Sequence, residues 1–341
     1  MKKTYSSGIF LSGPFIGDTL LFFSTVSALK HLFHEVYFVT YHDDLITTLN
    51  PFKKIKIINI DRCKNMLASN DKKIIISNHP GEITINGVNL PLIISNHAKN
   101  YEFIDLYYRN DIFKKYKGMN YCKAMFKIIS HLFKYESLYR PNQLTVSLKR
   151  KLNSNIPDIE HMNTRYPFLS KKYIVLIEGT SMDAKKFDKW DRLVKEIIKI
   201  TNGRYQIIRI KGEKIRSKEI DSGNVHYLHC DYKYYPYVFI NNNCCLSVST
   251  DTGLAHLSAM LGVDTFILYA ISDPAFWNNG SRSYRSIIGK KNHRHVKIIQ
   301  DDLIRLDPPV IRGDGFLTKE GFGVSLTTVE EIIHYLYPKI H

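Results

Sequence analysis

The sequence predicts an α/β protein of two domains, each a parallel sheet flanked by helices, the two facing each other across a cleft. Three observations carry this. The 341 residues are enough for two domains of ordinary size, each burying its own core. Short apolar runs alternate with helical patterns along the chain. The alternation also begins afresh near the middle, giving two series.

In the first series GIFLSG (8–13), EVYFVT (35–40), KIINI (56–60) and KIIISN (73–78) read as buried strands. DTLLFFSTVSALKHLF (18–33) lies between the first two and is long enough for roughly four helical turns. Strand, glycine turn, helix, strand is a βαβ unit, which demands a parallel sheet with a right-handed crossover. Asn86-Gly87, between apolar segments, predicts a hairpin. From His97 to Arg140 the chain is aromatic, basic and helix-like, with Phe126, Ile129, Leu132 and Phe133 at core-facing helical spacing. The next stretch, SLKRKLNSNIPDIEHMNTRYPFLSKK, is polar with two prolines and no sustained period, as expected of a domain boundary.

The second series opens with the strand YIVLIEG (173–179). FDKWDRLVKEIIKITNG follows as a helix with Trp190, Leu193, Val194, Ile197 and Ile198 on one face and Gly203 as its stop. YQIIRIKG, VHYLHC, CCLSVS and TFILYA supply further strands, and Thr328 with Glu331 forms a capping box for a last helix. The expected layout is two Rossmann-like domains, 1–160 and 161–325, and a helix at 326–341 packing back toward the first.

Composition narrows the class. Apolar content of 44% and charged content of 23% suit a globular protein, whereas the net charge of +16 fits either an anionic partner or surface or a lysine-rich composition that serves only solubility. Five cysteines with no C-x-x-C pair argue against a disulfide framework or a zinc site and fit a reducing cytoplasm. Pro14, Gly17 and Asp18 interrupt the apolar stretch near the start, so it is not read as a signal peptide, and no run reaches the ~18 apolar residues of a spanning helix.

Three turns are candidates for chemistry, the alternative for the first being a capped strand-to-helix turn with no ligand. STDTGLAHLSAMLG (249–262) takes a strand into a helix and places acid, hydroxyl, glycine and imidazole within a few residues. Ligands of open parallel sheets bind beyond the carboxyl ends of strands, where the first helical N–H groups lack partners. Thr252, Gly253 and Leu254 therefore offer amides to an anion, with Thr252 adding a hydroxyl and His256 a ring N–H. Asp251 would repel a phosphate and suits a helix cap or a sugar hydroxyl. SGPFIGDTLLFF (12–23) puts Asp18 at a helix start, either as an N-cap or as a general base. EGTSMDAKKF (178–187) offers Thr180 and Ser181 as hydroxyl donors and Lys185 or Lys186 as a point charge for phosphate. No D-x-D or His/Cys cluster argues for a metal.

In order and spacing, GDTLLFFSTVSALK, TSMDAKKF and DTGLAHLSAMLGVDTFILYAISDPAFW resemble the heptosyltransferases of lipopolysaccharide core assembly, the family-nine glycosyltransferases. The resemblance implies the GT-B fold, with nucleotide-sugar on the carboxy-terminal domain and acceptor on the amino-terminal one. It implies Asp18 as catalytic base, Thr180, Ser181 and Lys185 as donor-phosphate contacts, and Asp251, Thr252, Gly253, Leu254 and His256 as the donor loop. Tyr232 falls where a nucleobase contact lies, and Glu213 is the acid nearest the ribose position. The implied reaction is inverting and needs neither metal nor separate cofactor, ADP-heptose being the co-substrate. The implied acceptor is an anionic glycolipid met at the cytoplasmic face of the inner membrane, with no nucleic acid partner. Ala270-Ile271 and Phe187-Asp188 depart from the family's usual residues and bear on which nucleotide and sugar are used. Three rivals fit parts of the sequence: another nucleotide-sugar on a different glycan or protein, a silent sugar-nucleotide-binding module, and a basic nucleic-acid-binding protein.

Overall fold

The computed structural model describes residues 7–63, 73–78, 83–85, 88–89, 101–106, 118–180, 185–211, 223–270, 272–293, 296 and 323–341. The chain divides into two compact units, Met1–Leu152 with Asn278–Gly280, and Asn153–Trp277 with Ser281–His341.

The first unit begins with β1 (Ser7–Leu11), α1 (Ile16–Leu29), β2 (Glu35–Thr40), α2 (Asp43–Leu49), β3 (Ile55–Asn59) and β4 (Lys73–Ser77). A short antiparallel pair, β5 (Thr84–Ile85) with β6 (Val88–Asn89), stands where the hairpin was expected, though 86 and 87 themselves lie outside the described residues. A further strand, β7 (Tyr101–Asp105), interrupts the region read as helical. Its residues, YEFID, alternate aromatic or aliphatic with acidic, a strand period. The sheet is parallel throughout in the order β3-β2-β1-β4-β7. α1 is apolar on almost every face because it is sandwiched between this sheet and α3 (Tyr121–Leu132). Of the four apolar positions expected in the core of α3, Phe126 and Ile129 are buried, while Leu132 is 37% exposed.

The expected boundary segment is helical. α4 (Pro141–Asn153) buries Leu144, Leu148 and Leu152, one stripe at four-residue spacing, and α5 (Ile156–Arg165) follows with proline in its first turn. The division falls between Leu152 and Asn153, at the very end of α4, and not at 160. A single leucine stripe amid lysines and asparagines is a faint periodic signal.

The second unit contains β8 (Tyr173–Ile177), α6 (Trp190–Thr201), β9 (Gln206–Ile210), β10 (Val225–Leu228), α7 (Tyr235–Ile240), β11 (Cys244–Thr250), α8 (Gly253–Met260), β12 (Thr265–Tyr269), β13 (Tyr284–Ile288) and α9 (Val329–Ile340). Its parallel sheet runs β10-β9-β8-β11-β12-β13. α6 buries Trp190, Leu193, Val194 and Ile197 and stops at two positive-φ residues, Asn202 and Gly203. α9 carries the Thr328–Glu331 capping box. Contrary to expectation it belongs to the second unit: Val329, Ile332, Leu336 and Ile340 join Leu193 and Ile197 of α6 in one core. The terminal stripe is apolar enough to need a cover, and α6 supplies it. Among the described residues no helix is long and apolar enough to cross a membrane.

Candidate functional site

Both sheets reverse direction at their centre. In the second unit β8 leads outward through β9 and β10, while β11 leads the other way through β12 and β13, so the β8/β11 junction is the switch point where a crevice opens. The two turns singled out in the carboxy-terminal half leave the sheet here. Thr180 follows β8 and Asp251 follows β11; Ser181 and Glu213 lie outside the described residues.

Asp251 is the hub. Its side chain is 8% exposed, and Lys185 places Nζ 2.7 Å from Oδ2 and 3.2 Å from the Asp251 carbonyl oxygen. Ser272 donates to Oδ2 at 2.7 Å, and His256 Nε2 stands 3.4 Å from Oδ1. The far ring nitrogen, His256 Nδ1, lies 3.1 Å from the Tyr284 hydroxyl on β13. Burial alone would raise the Asp251 pKa, but the Lys185 and His256 charges and hydrogen bonds outweigh it and hold the carboxyl well below the usual carboxylate range. Asp251 therefore does not cap α8; its oxygens are taken. His256 is 5% exposed and both its ring nitrogens are engaged within the protein. That fixes the imidazole as a strut rather than a loose N–H donor.

The helix start is left open. Thr252 is the N-cap in an extended conformation (φ −138°, ψ 166°), yet its side chain caps nothing and meets Ser249 Oγ at 3.2 Å. The amides of Thr252, Gly253 and Leu254 donate to no other described residue. Three N–H groups without a described partner at the positive end of a helix dipole, with no side chain on Gly253, have the chemistry of a candidate anion site. Tyr232 lies in the turn after the edge strand β10, 48% exposed and edge-on to Tyr235.

The first unit repeats the arrangement at its β1/β4 switch point. Asp18 is the third residue of α1 and half-buried, and the N-cap is Phe15, so Asp18 does not cap the helix. Asn78 at the end of β4 accepts from the Gly13 amide at 3.1 Å and donates to the Tyr121 hydroxyl at 3.3 Å. Burial, and then the Asp18 charge, push the Tyr121 phenol well above its ordinary value.

The sequence profile of glycosyltransferase family 9 (heptosyltransferase) matches residues 96–303. The chain belongs to this family. A comparison with characterised protein sequences gives no match. Among solved structures, a family 9 glycosyl transferase from Veillonella parvula is 11% identical, with a TM-score of 0.63 over 100% of this chain and 98% of that one. The E. coli heptosyltransferase WaaC with ADP is 13% identical, with a TM-score of 0.61 over 98% and 99% of the two chains. The E. coli ADP-heptose lps heptosyltransferase II is 14% identical, with a TM-score of 0.55 over 82% and 90%. At such identities the likeness speaks for the fold, which is the α/β fold of the GT-B heptosyltransferases. The family 9 chain is a heptosyltransferase-like glycosyltransferase. Sequence reading found Lys185, Asp251 and His256 but missed Ser272 and Tyr284, which hold them. Ser272 lay in the quoted ISDP turn; Tyr284 sits in RSYRSII, too polar to read as a strand.

Proposed function

We propose that this family 9 glycosyltransferase transfers heptose with inversion from ADP-heptose to the inner core of lipopolysaccharide, working at the cytoplasmic face of the inner membrane. The observation that carries the donor half is the open start of α8 beside the buried Lys185–Asp251–His256 hub. Thr252, Gly253 and Leu254 amides would hold the diphosphate, Lys185 and the Thr180 and Ser181 hydroxyls would flank it, and Asp251 with His256 would keep Lys185 and the turn in place. Tyr232 and Glu213 are assigned to the base and ribose.

In the reaction the acceptor oxygen attacks the anomeric carbon from the face opposite the leaving group. The bond from that carbon to the diphosphate oxygen breaks, and Asp18 takes the hydroxyl proton. General-base assistance of this kind contributes about 10²–10⁴-fold in rate. Charge grows on the departing diphosphate, so fixed amide donors there stabilise the transition state more than the ground state. They do so without a metal. The net charge of +16 fits an acceptor bearing carboxylates and phosphates in an anionic leaflet.

The test is product mass. Incubation with ADP-heptose and a heptose-deficient core acceptor is expected to add one heptose, and Asp18→Ala to abolish the addition. Transfer of a hexose from another nucleotide-sugar would replace this donor assignment.

A further inference from the structure

Arg209 is out of place by composition. It sits in QIIRI, the interior strand β9, where Ile207, Ile208 and Ile210 are buried, and it is itself only 6% exposed. A buried guanidinium is costly unless every N–H is answered. Here Nε and Nη2 grip the two oxygens of Glu178, the Nη2–Oε2 distance being 3.0 Å. Nη1 reaches Asp191 Oδ1 at 2.6 Å and the Tyr227 hydroxyl at 3.0 Å, and the cation lies 5.2 Å from the Tyr227 ring centroid. Burial opposes the charge, but the bonds to Glu178 and Asp191 raise the Arg209 pKa above its ordinary value. Only a planar fork can make the paired bonds to Glu178 and still present an N–H to Asp191.

The partners lie at the two ends of one stretch. Glu178 is the first residue after β8, and Asp191 is the second residue of α6. Between them the chain carries Thr180 and Lys185. We propose that Arg209 is a positioning residue, a clamp that fastens both ends of the β8–α6 connection and so sets the reach of Lys185 to Asp251. Its relevance to donor binding rests on the function proposed above. The connection is then tied at Glu178, Lys185 and Asp191, with a guanidinium that touches no substrate.

The test removes the buried pair together, Arg209→Met with Glu178→Gln, because removing one partner alone strands a buried charge. Asp191, 81% exposed, stays solvated. The double variant is expected to melt close to the parent while amide exchange at Gly179, Thr180 and Phe187 rises about tenfold and that of β11 does not change. ADP, used as the probe, is expected to bind about 10- to 100-fold more weakly, with KM for the donor rising more than kcat falls. Lys185→Met should then weaken ADP less in the variant than in the parent, since the two changes damage one contact. Arg209→Lys, which keeps charge but loses the fork, is a second variant expected to show the same exchange signature if the double variant fails to fold. Unchanged exchange overturns the clamp. Faster exchange with unchanged ADP affinity supports the clamp and overturns the donor reading of the connection instead.

Discussion

Asp251→Asn is the sharpest perturbation of the second unit. Asparagine keeps the shape of the side chain but withdraws the negative charge that faces Lys185 at 2.7 Å and His256 at 3.4 Å. Breaking a buried ion pair by removing one partner costs about 3–5 kcal/mol. The amide oxygen still accepts from Lys185 and Ser272, which recovers about 1 kcal/mol. The net loss is then about 3 kcal/mol, or about 6–12 °C in the melting of a unit of this size. Lys185 is 17% exposed, so most of the penalty is the stranded ammonium. Adding Lys185→Met should therefore recover about 1–2 kcal/mol. The assay is denaturant unfolding of the parent, both single variants and the double. A loss below about 0.5 kcal/mol for Asp251→Asn, or a double variant worse than the sum of the singles, would refute the hub.

The same pair sets an acid dependence. Because the folded pKa of Asp251 is depressed, its contribution is fully present above the ordinary carboxylate value and is lost as pH falls below it. The stability gap between parent and Asp251→Asn is expected to be flat from pH 7 to about 5 and to shrink below about 4 by about 1.4 kcal/mol per unit; a gap that widens toward acid contradicts it. Cys63 and Cys122 are fully buried with thiols pushed up to about 12 by burial, so a thiol reagent at pH 8 should modify exposed Cys245 first and reach those two only after denaturation. Leu336→Ala on α9 should cost about 2–5 kcal/mol and register in the unfolding of the second unit; a loss confined to the first would contradict the packing of the terminal helix on α6.

The central strands were legible because a parallel strand buried on both faces must be an unbroken apolar run, as in GIFL, KIIIS, YIVLI and TFILY. β7 and β13 were not, and both are edge strands of their sheets. An edge strand buries less, so YEFID and YRSII can carry charge and hydroxyls that blur the period. α4 hid behind a stripe of three leucines among polar residues. In the second unit local turn chemistry singled out Lys185 and Asp251, which the structure brings into contact, and in the first it singled out Asp18 near the start of α1. Their partners stayed invisible because they arrive from elsewhere in the sheet. Ser272 reaches Asp251 from beyond β12, Tyr284 reaches His256 from β13, and Arg209 reaches Glu178 from β9. The outcome for His256 follows from this. Alone it reads as a phosphate contact, and between Asp251 and Tyr284 it becomes a support.

The central claim is that the first amides of α8 grip the donor's diphosphate, and Gly253→Pro tests it most directly. Gly253 is the first helical residue, where proline fits, and Thr252 before it is already extended, as a residue preceding proline must be. The substitution thus deletes one N–H and fills the space above it while leaving the helix intact. Calorimetric titration with ADP is expected to show binding weakened by about 10- to 100-fold at unchanged melting temperature. Affinity equal to that of the parent, in a variant that melts like the parent, would contradict the account.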